Sequence, residues 1–331
     1  MLVVLTLCVF YNYFNKKIIN FFDKRLDVIS GQNNLIVHFV SVGSADAVAI
    51  NLPDEKVMIV DTADTKTNVT FTNYLDNQVF KNKYNKTIDY LFVTHAHMDH
   101  AGGLERVLKN YKVENLYLPK YDSTNDSYTK LKGYVKNNFS YQNIPENEII
   151  ETKDYKISVF GPYDEFSSNL NNTCPAIKLE CFGKSFLFTG DMEKEVETKL
   201  VEDFGESLDI DVLKVAHHGS KSSNTYQFLQ MTTPEYSVVC VGENSYGHPA
   251  QQTLDALDAV GSKILRTDKD GDIIFVIGKD YDLSVHNSYY YIARQSFDYR
   301  GIVIAVFLFH TIVVIKICTK DEKVRKRIKR A

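Results

Sequence analysis

The stretch THAHMDHAGG, residues 94–103, places His95, His97, Asp99 and His100 within six positions. Imidazole and carboxylate are the donors that a divalent ion of borderline softness takes, zinc first and manganese second. Four such ligands at a strand-to-helix turn can splay toward two adjacent metal positions. The chain holds only nine histidines, so three in one turn point to a metal centre rather than to a polar loop. Asp191 follows the apolar run FLFT and Gly190, where it could serve as a metal carboxylate or cap the next helix, MEKEVETKL. Asp61 closes KVMIVD, in place to accept a hydrogen bond from a ligating histidine and fix its tautomer, or to cap a strand end. A second cluster, LKVAHHGSKSSN at 213–224, sets His217 beside His218. Neighbours on an extended strand point to opposite faces, so the two are expected to do different work. Gly219 and Ser220 then offer N–H groups and a hydroxyl, and the helix start after them reads as an anion site. His248, in NSYGHP, could hold a phosphate or protonate a leaving group, with Asn244 as a neighbouring substrate contact.

These residues need a scaffold that brings distant loops together. NLIVHFVSVG, AVAINL, KVMIVD and DYLFVT read as strands, with Pro53-Asp54-Glu55 as a turn. GLERVLKNY has helical periodicity and VENLYLP is again a strand. AIKLECFGKSFLFTGD reads as a hairpin turning at Gly183-Lys184, EKEVETKLVEDF as an amphipathic helix, and IDVLKVA and YSVVCVG as strands. QQTLDALDAV is a helix, and KILRTD and DIIFVIG flank the turn Lys269-Asp270-Gly271. The α+β pattern of two β-rich halves with outer helices predicts a layered sandwich whose strand ends meet at one edge. It occupies residues 35–287.

THAHMDH resembles the His-x-His-x-Asp-His signature of the metallo-β-lactamase superfamily, an αββα sandwich with one or two metals at the sheet edge. The other motifs are similar to the hydrolase domain of ComEC-type DNA-uptake proteins. FVSVGSADA matches D-V-G-Q-G-D-A, MIVDTA matches L-I-D-T-G, and FLFTGD matches L-L-T-G-D. LKVAHHGSKSS, NSYGHP and RTDKDGDIIF match the later motifs in order. The resemblance spans about residues 35–276 and leaves out the many-helix channel of that family. It implies that His95 and His97 bind a first metal, that Asp99 and His100 bind a second, and that Asp191 bridges both. The last metal histidine of the superfamily lies at a strand end, which implies His217 on the second metal and turns His218 toward substrate, with Asp99 and His248, as catalytic.

Two departures stand out. No histidine occurs between His100 and His217, where many members place one, and Asn171, Asn172 and Thr173 stand there instead. The first metal is therefore expected to lack a protein ligand. Gly-Gln-Gly-Asp has become Gly43-Ser44-Ala45-Asp46, which keeps the carboxylate of Asp46, expected behind the ligands, on a stiffer loop.

The 331 residues are 44% hydrophobic and 24% charged with a net charge of −4, a globular composition without a global polyanion-binding signature. The five cysteines have neither disulfide nor metal spacing. Residues 300–318 form an apolar run near the length of a bilayer core. The basic tail 319–331 that follows predicts a transmembrane helix with a cytoplasmic C-terminus and a domain on the far side. Residues 1–14 are a short hydrophobic segment that could add an anchor, and 15–34 a linker. The sequence thus reads as a membrane-tethered, metal-dependent nuclease or phosphodiesterase, with a nucleic acid or small phosphodiester as substrate and a hydroxide nucleophile generated at the metal. The alternatives are a β-lactam, lactone or thioester hydrolase, and a membrane-bound module that binds DNA without cutting it.

Overall fold

The structure, a computed structural model, describes residues 33–287 apart from 82, 84 and 279–281. The expected N-terminal segment, transmembrane helix and basic tail lie outside them. Among the described residues no helix is long and apolar enough to cross a membrane.

Among the described residues fifteen strands form two sheets that stack through one apolar layer. In the first sheet the order is β15 (Leu283–Asn287), β14 (Ile273–Ile277), β1 (Leu35–Phe39), β2 (Val48–Asn51), β3 (Val57–Val60), β4 (Thr87–Phe92), β5 (Lys112–Leu118), β6 (Gln142–Asn143). In the second it is β13 (Lys263–Arg266), β12 (Tyr236–Val239), β11 (Val212–Lys214), β10 (Lys184–Phe188), β9 (Ala176–Cys181), β8 (Tyr155–Phe160), β7 (Ile149–Glu151). Alternation along each strand builds the layers. Leu35, Val37 and Phe39 of β1 join Ile50, Met58, Phe186, Phe188 and Phe275 between the sheets. Ala49, Val57 and Ile59 point the other way, onto the helices.

Each sheet combines hairpin-linked antiparallel strands with a parallel run, β3 to β6 and β10 to β13. A parallel pair needs a crossover, and helices supply it. In the first sheet these are α1 (Asn68–Tyr74), α2 (Met98–Ala101), α3 (Leu104–Asn110) and α4 (Asp126–Asn138). In the second they are α5 (Lys194–Phe204), α6 (Tyr226–Thr232) and α7 (Gln251–Ala259). A short α8 (Thr267–Asp270) then precedes Gly271, where a turn was expected. The β9–β10 hairpin turns one residue earlier than expected: Phe182 and Gly183 both take positive φ, and Lys184 already pairs with Cys181. Two left-handed residues match the twist of a two-residue hairpin.

Candidate metal centre

Ligand sites in sheets of this kind lie beyond the C-terminal ends of parallel strands. Asp61 follows β3, the histidine cluster follows β4, Asp191 follows β10, and His217 and His218 follow β11. Backbone bonds tie these loops together. Asp46 N donates to Asp99 O at 3.1 Å, and Thr62 N to His100 O at 2.7 Å. Gly103 must be glycine, because a Cβ there would collide with the carbonyl of Thr62.

Asp99, His100, Asp191 and His218 bring one ligand atom each to within 4.8 Å of one another. Asp191 lies among the imidazoles. Its Oδ1 is 3.2 Å from His100 Nε2, while Oδ2 is 3.7 Å from His218 Nε2, 3.9 Å from His217 Nε2 and 4.0 Å from His95 Nε2. Asp99 Oδ2 is 3.5 Å from His218 Nε2. His95 and His97 form a separate pair, Nε2 to Nδ1 at 2.9 Å.

The outer atoms of these rings are already engaged. His100 Nδ1 lies 2.8 Å from Asp61 Oδ2, and the other oxygen of Asp61 accepts Thr94 N at 2.8 Å. His218 Nδ1 lies 2.7 Å from the carbonyl oxygen of Cys240. Each ring therefore donates outward from Nδ1 and keeps the Nε2 lone pair for the centre. His100 Nε2, His218 Nε2 and Asp191 Oδ1 are buried without a hydrogen-bond partner. Asp46 Oδ1, Thr67 Oγ1, Tyr163 Oη and Asn171 Oδ1 are also buried without a hydrogen-bond partner, but the three on His100, His218 and Asp191 gather at one point, an arrangement that fits a cation.

The charge balance agrees. Asp46, Asp61, Asp99 and Asp191 converge on His100, and among the described residues the ammonium they meet is Lys214, buried and ion-paired with Asp46. Lys214 Nζ also donates to Gly190 O at 3.0 Å. Burial alone would lower the pKa of His100, but the four carboxylates outweigh it and hold it well above the usual value. His218 is likewise raised, burial being outweighed by Asp191 and Asp46. Burial would raise Asp191, yet the imidazoles of His100 and His218 hold it well below the carboxylate range. His95, by contrast, is pushed down by burial and then by His100. Protons on His100 and His218 thus answer part of the charge of the four carboxylates, and divalent metal ions would take that place once the two rings give up those protons to act as ligands.

The histidine pair departs from expectation. Both residues are left-handed, at φ +50° and +51°, so strand alternation does not apply and both face Asp191. His218 is buried within the cluster, whereas His217 sits at its open side, 21% exposed, with Nδ1 3.3 Å from Glu193 Oε1. His217 was expected on the second metal and His218 toward substrate; the structure groups His218 with Asp99, His100 and Asp191 and leaves His217 at the edge of that group. The strand ends at Lys214, earlier than assumed.

Other expected contacts turn inward. The N–H groups of Asn224 and Thr225, at the start of α6, are taken by the buried carboxylate of Glu197, which closes the expected anion site. Ser220 is buried with its hydroxyl on Ser222. Gly219, at φ +82°, packs against Pro249, which a Cβ would strike. Asn244 spends both amide donors and its oxygen on the backbone of residues 242–248, leaving nothing for a substrate. Asn171 and Asn172 brace Glu193 and Glu195, and Thr173 bonds Leu170 O, while Asn171 Oδ1 is buried without a hydrogen-bond partner. The 43–46 loop needs positive φ only at Gly43, and Ala45 fits buried. His248 lies at the open side, its ring 5.4 Å from that of His217. Lys214 and Glu193 were not singled out from sequence. A lysine inside the apolar strand DVLKVA was the available signal for the first.

Comparison with known proteins bears on the fold and the family. Residues 40–243 match the family model described as metallo-beta-lactamase superfamily. Over 190 residues the chain is 34% identical to ComE operon protein 3 of Bacillus subtilis, covering 57% of this chain and 24% of the relative. It is 28% identical over 178 residues to Competence protein ComA of Neisseria gonorrhoeae, covering 51% and 26%. It is 24% identical over 187 residues to Recombination protein 2 of Haemophilus influenzae, covering 56% and 22%. The matched region is about a quarter of each relative's length. With this fold, this motif order and this metal-compatible edge, the chain belongs to the metallo-beta-lactamase superfamily, and within it resembles the ComEC-type competence proteins.

Proposed function

We propose that the protein is a metal-dependent phosphodiesterase acting on nucleic-acid strands, tethered to a membrane by residues 300–318. The observation that carries the hydrolase reading is the set of inward-facing, partnerless atoms on His100, His218 and Asp191. When bound, divalent ions supply Lewis acidity at a phosphoryl oxygen and a lowered pKa for water. Asp99, His100, Asp191 and His218 would hold one ion, and His95 and His97 with Asp191 a second. Asp61 and the Cys240 carbonyl orient the two buried rings. Lys214 fixes Asp46 and the Gly190 carbonyl, and so the loop that carries Asp191. His217 and His248 face the open side and offer ring nitrogens to substrate oxygens.

Two features favour a phosphodiester over a lactam or thioester. Two of the similar proteins are named for competence and recombination, which are processes on DNA. Lys221, three residues after His218, is exposed and would suit a phosphate backbone. The test is a substrate panel on the metal-loaded full chain. Single-stranded oligonucleotides should be cut, and Asp99→Ala should abolish cutting. Intact phosphodiesters alongside an opened lactam or thioester would contradict the proposal, and DNA affinity that survives metal removal without cleavage would favour a binding module. Sedimentation with membranes after lysis checks the tether, and recovery in the soluble fraction without detergent would refute it.

A further inference from the structure

Among the described residues four large hydrophobic side chains are conspicuously exposed, and Tyr246 is the most exposed at 80%. Its place is not arbitrary. The ring lies 5.8 Å from that of His248, centroid to centroid, at 30°. His248 in turn lies 5.4 Å from His217, whose Nε2 is 3.9 Å from Asp191. Three aromatic rings thus lead from solvent to the carboxylate at the middle of the centre.

The loop holding Tyr246 is fixed before any ligand arrives. Asn244 Nδ2 donates to Gly242 O at 2.9 Å and to His248 O at 2.8 Å, and its Oδ1 accepts Tyr246 N and His248 N, each at 3.1 Å. Ser44 Oγ bonds Gly242 O at 3.2 Å, joining the loop to the first sheet. Gly242 leaves no room for a Cβ against Gly43. A rigid loop that presents one large ring to water loses little entropy when the ring is covered.

We infer that Tyr246 is a base-stacking platform, receiving the nucleobase of a single strand next to the phosphate that sits at the metal centre. This rests on the phosphodiesterase reading and adds the ligand's second half. Every base has a π-face, so stacking binds strands without reading sequence. Bases in a duplex are stacked on their neighbours and cannot reach the ring, which makes the platform selective for single strands.

The test uses the full chain with Mn2+ and compares kcat/KM on decathymidylate with that on a deoxyribose-phosphate decamer lacking bases. Tyr246→Ala should reduce the ratio of the two by roughly 5- to 150-fold, the range expected for one lost stacking contact. Tyr246→Phe, which keeps the π-face, should retain the ratio. The same loss on decauridylate would extend the site to RNA bases, and a loss on thymidylate alone would restrict it to DNA. An unchanged ratio in Tyr246→Ala, or wild-type cleavage of duplex as fast as of single strand, would overturn the inference while leaving the phosphodiesterase standing. Wild-type protein that cuts neither decamer would remove the phosphodiesterase reading itself, and the platform with it.

Discussion

Asp61 and the carbonyl of Cys240 fix the tautomers of His100 and His218, so the two inner lone pairs of the centre are set by groups that never touch the ion. The two left-handed residues after β11 then decide how the histidine doublet is divided. His218→Ala should therefore lower the bound metal per chain, whereas His217→Ala should keep it and lose turnover, both read by elemental analysis and rate. Metal loss from His217→Ala alone would contradict the geometry. Lys214 makes a different kind of contribution: its ammonium is buried against Asp46. Lys214→Met leaves that carboxylate uncompensated and should cost about 3–5 kcal/mol in urea unfolding. The double variant with Asp46→Asn should recover most of the loss, since the cost lies in the orphaned charge. The ligand cluster at 95–100 was legible because three histidines in six positions have no ordinary structural use. The backbone turn at the doublet was not legible because positive φ at a non-glycine residue carries no strong signature in the chain. Lys214 was hidden inside a strand pattern that its neighbours satisfied.

At the scale of elements, α5 supports the loop carrying both histidines. Its Glu197 is buried and accepts the N–H groups of Asn224 and Thr225, and Asn224 in turn bonds Ala216 N through its side-chain oxygen and Ala216 O through its amide. Burial raises the pKa of Glu197 to about 7, outweighing the N–H donors of Thr225 and Asn224 that lower it. The native state thus keeps this proton between the usual glutamate value of 4.5 and about 7, while the unfolded chain has released it. Its contribution to stability is full below the unfolded pKa and is lost as pH rises through that window. Glu197→Gln cannot ionise, so the fall in Tm between pH 4.5 and 7.5 should flatten, as thermal melts across that range will show. A fall as steep as the wild type's would rule out Glu197 as its source. Periodicity marked α5 and the strands correctly in kind because their apolar spacing is regular. It did not reveal that Glu197 fills the anion site at the start of α6, since that meeting joins residues 27 and 28 positions apart.

Over the whole molecule, both sheets supply the centre: Asp61 and the 95–100 cluster from one, Asp191 and His218 from the other. A bound ion would cross-link the two halves and stabilise only the folded state. At a hundredfold excess over Kd that amounts to about 2.7 kcal/mol, and chelation should lower Tm by roughly 5–10 °C for a domain of this size. An unchanged Tm would argue against ions on both sheets. The sandwich itself could be anticipated from two β-rich halves with outer helices. The order of strands within each sheet could not, because pairing partners lie far apart in the chain. The central claim is tested most directly by cleavage of a single-stranded oligonucleotide by the full chain, stripped of metal and then reloaded with Mn2+ or Zn2+. Cleavage should vanish on stripping, return on reloading, and remain absent in reloaded Asp191→Ala. Metal-independent cleavage, or full activity in Asp191→Ala, would contradict the account.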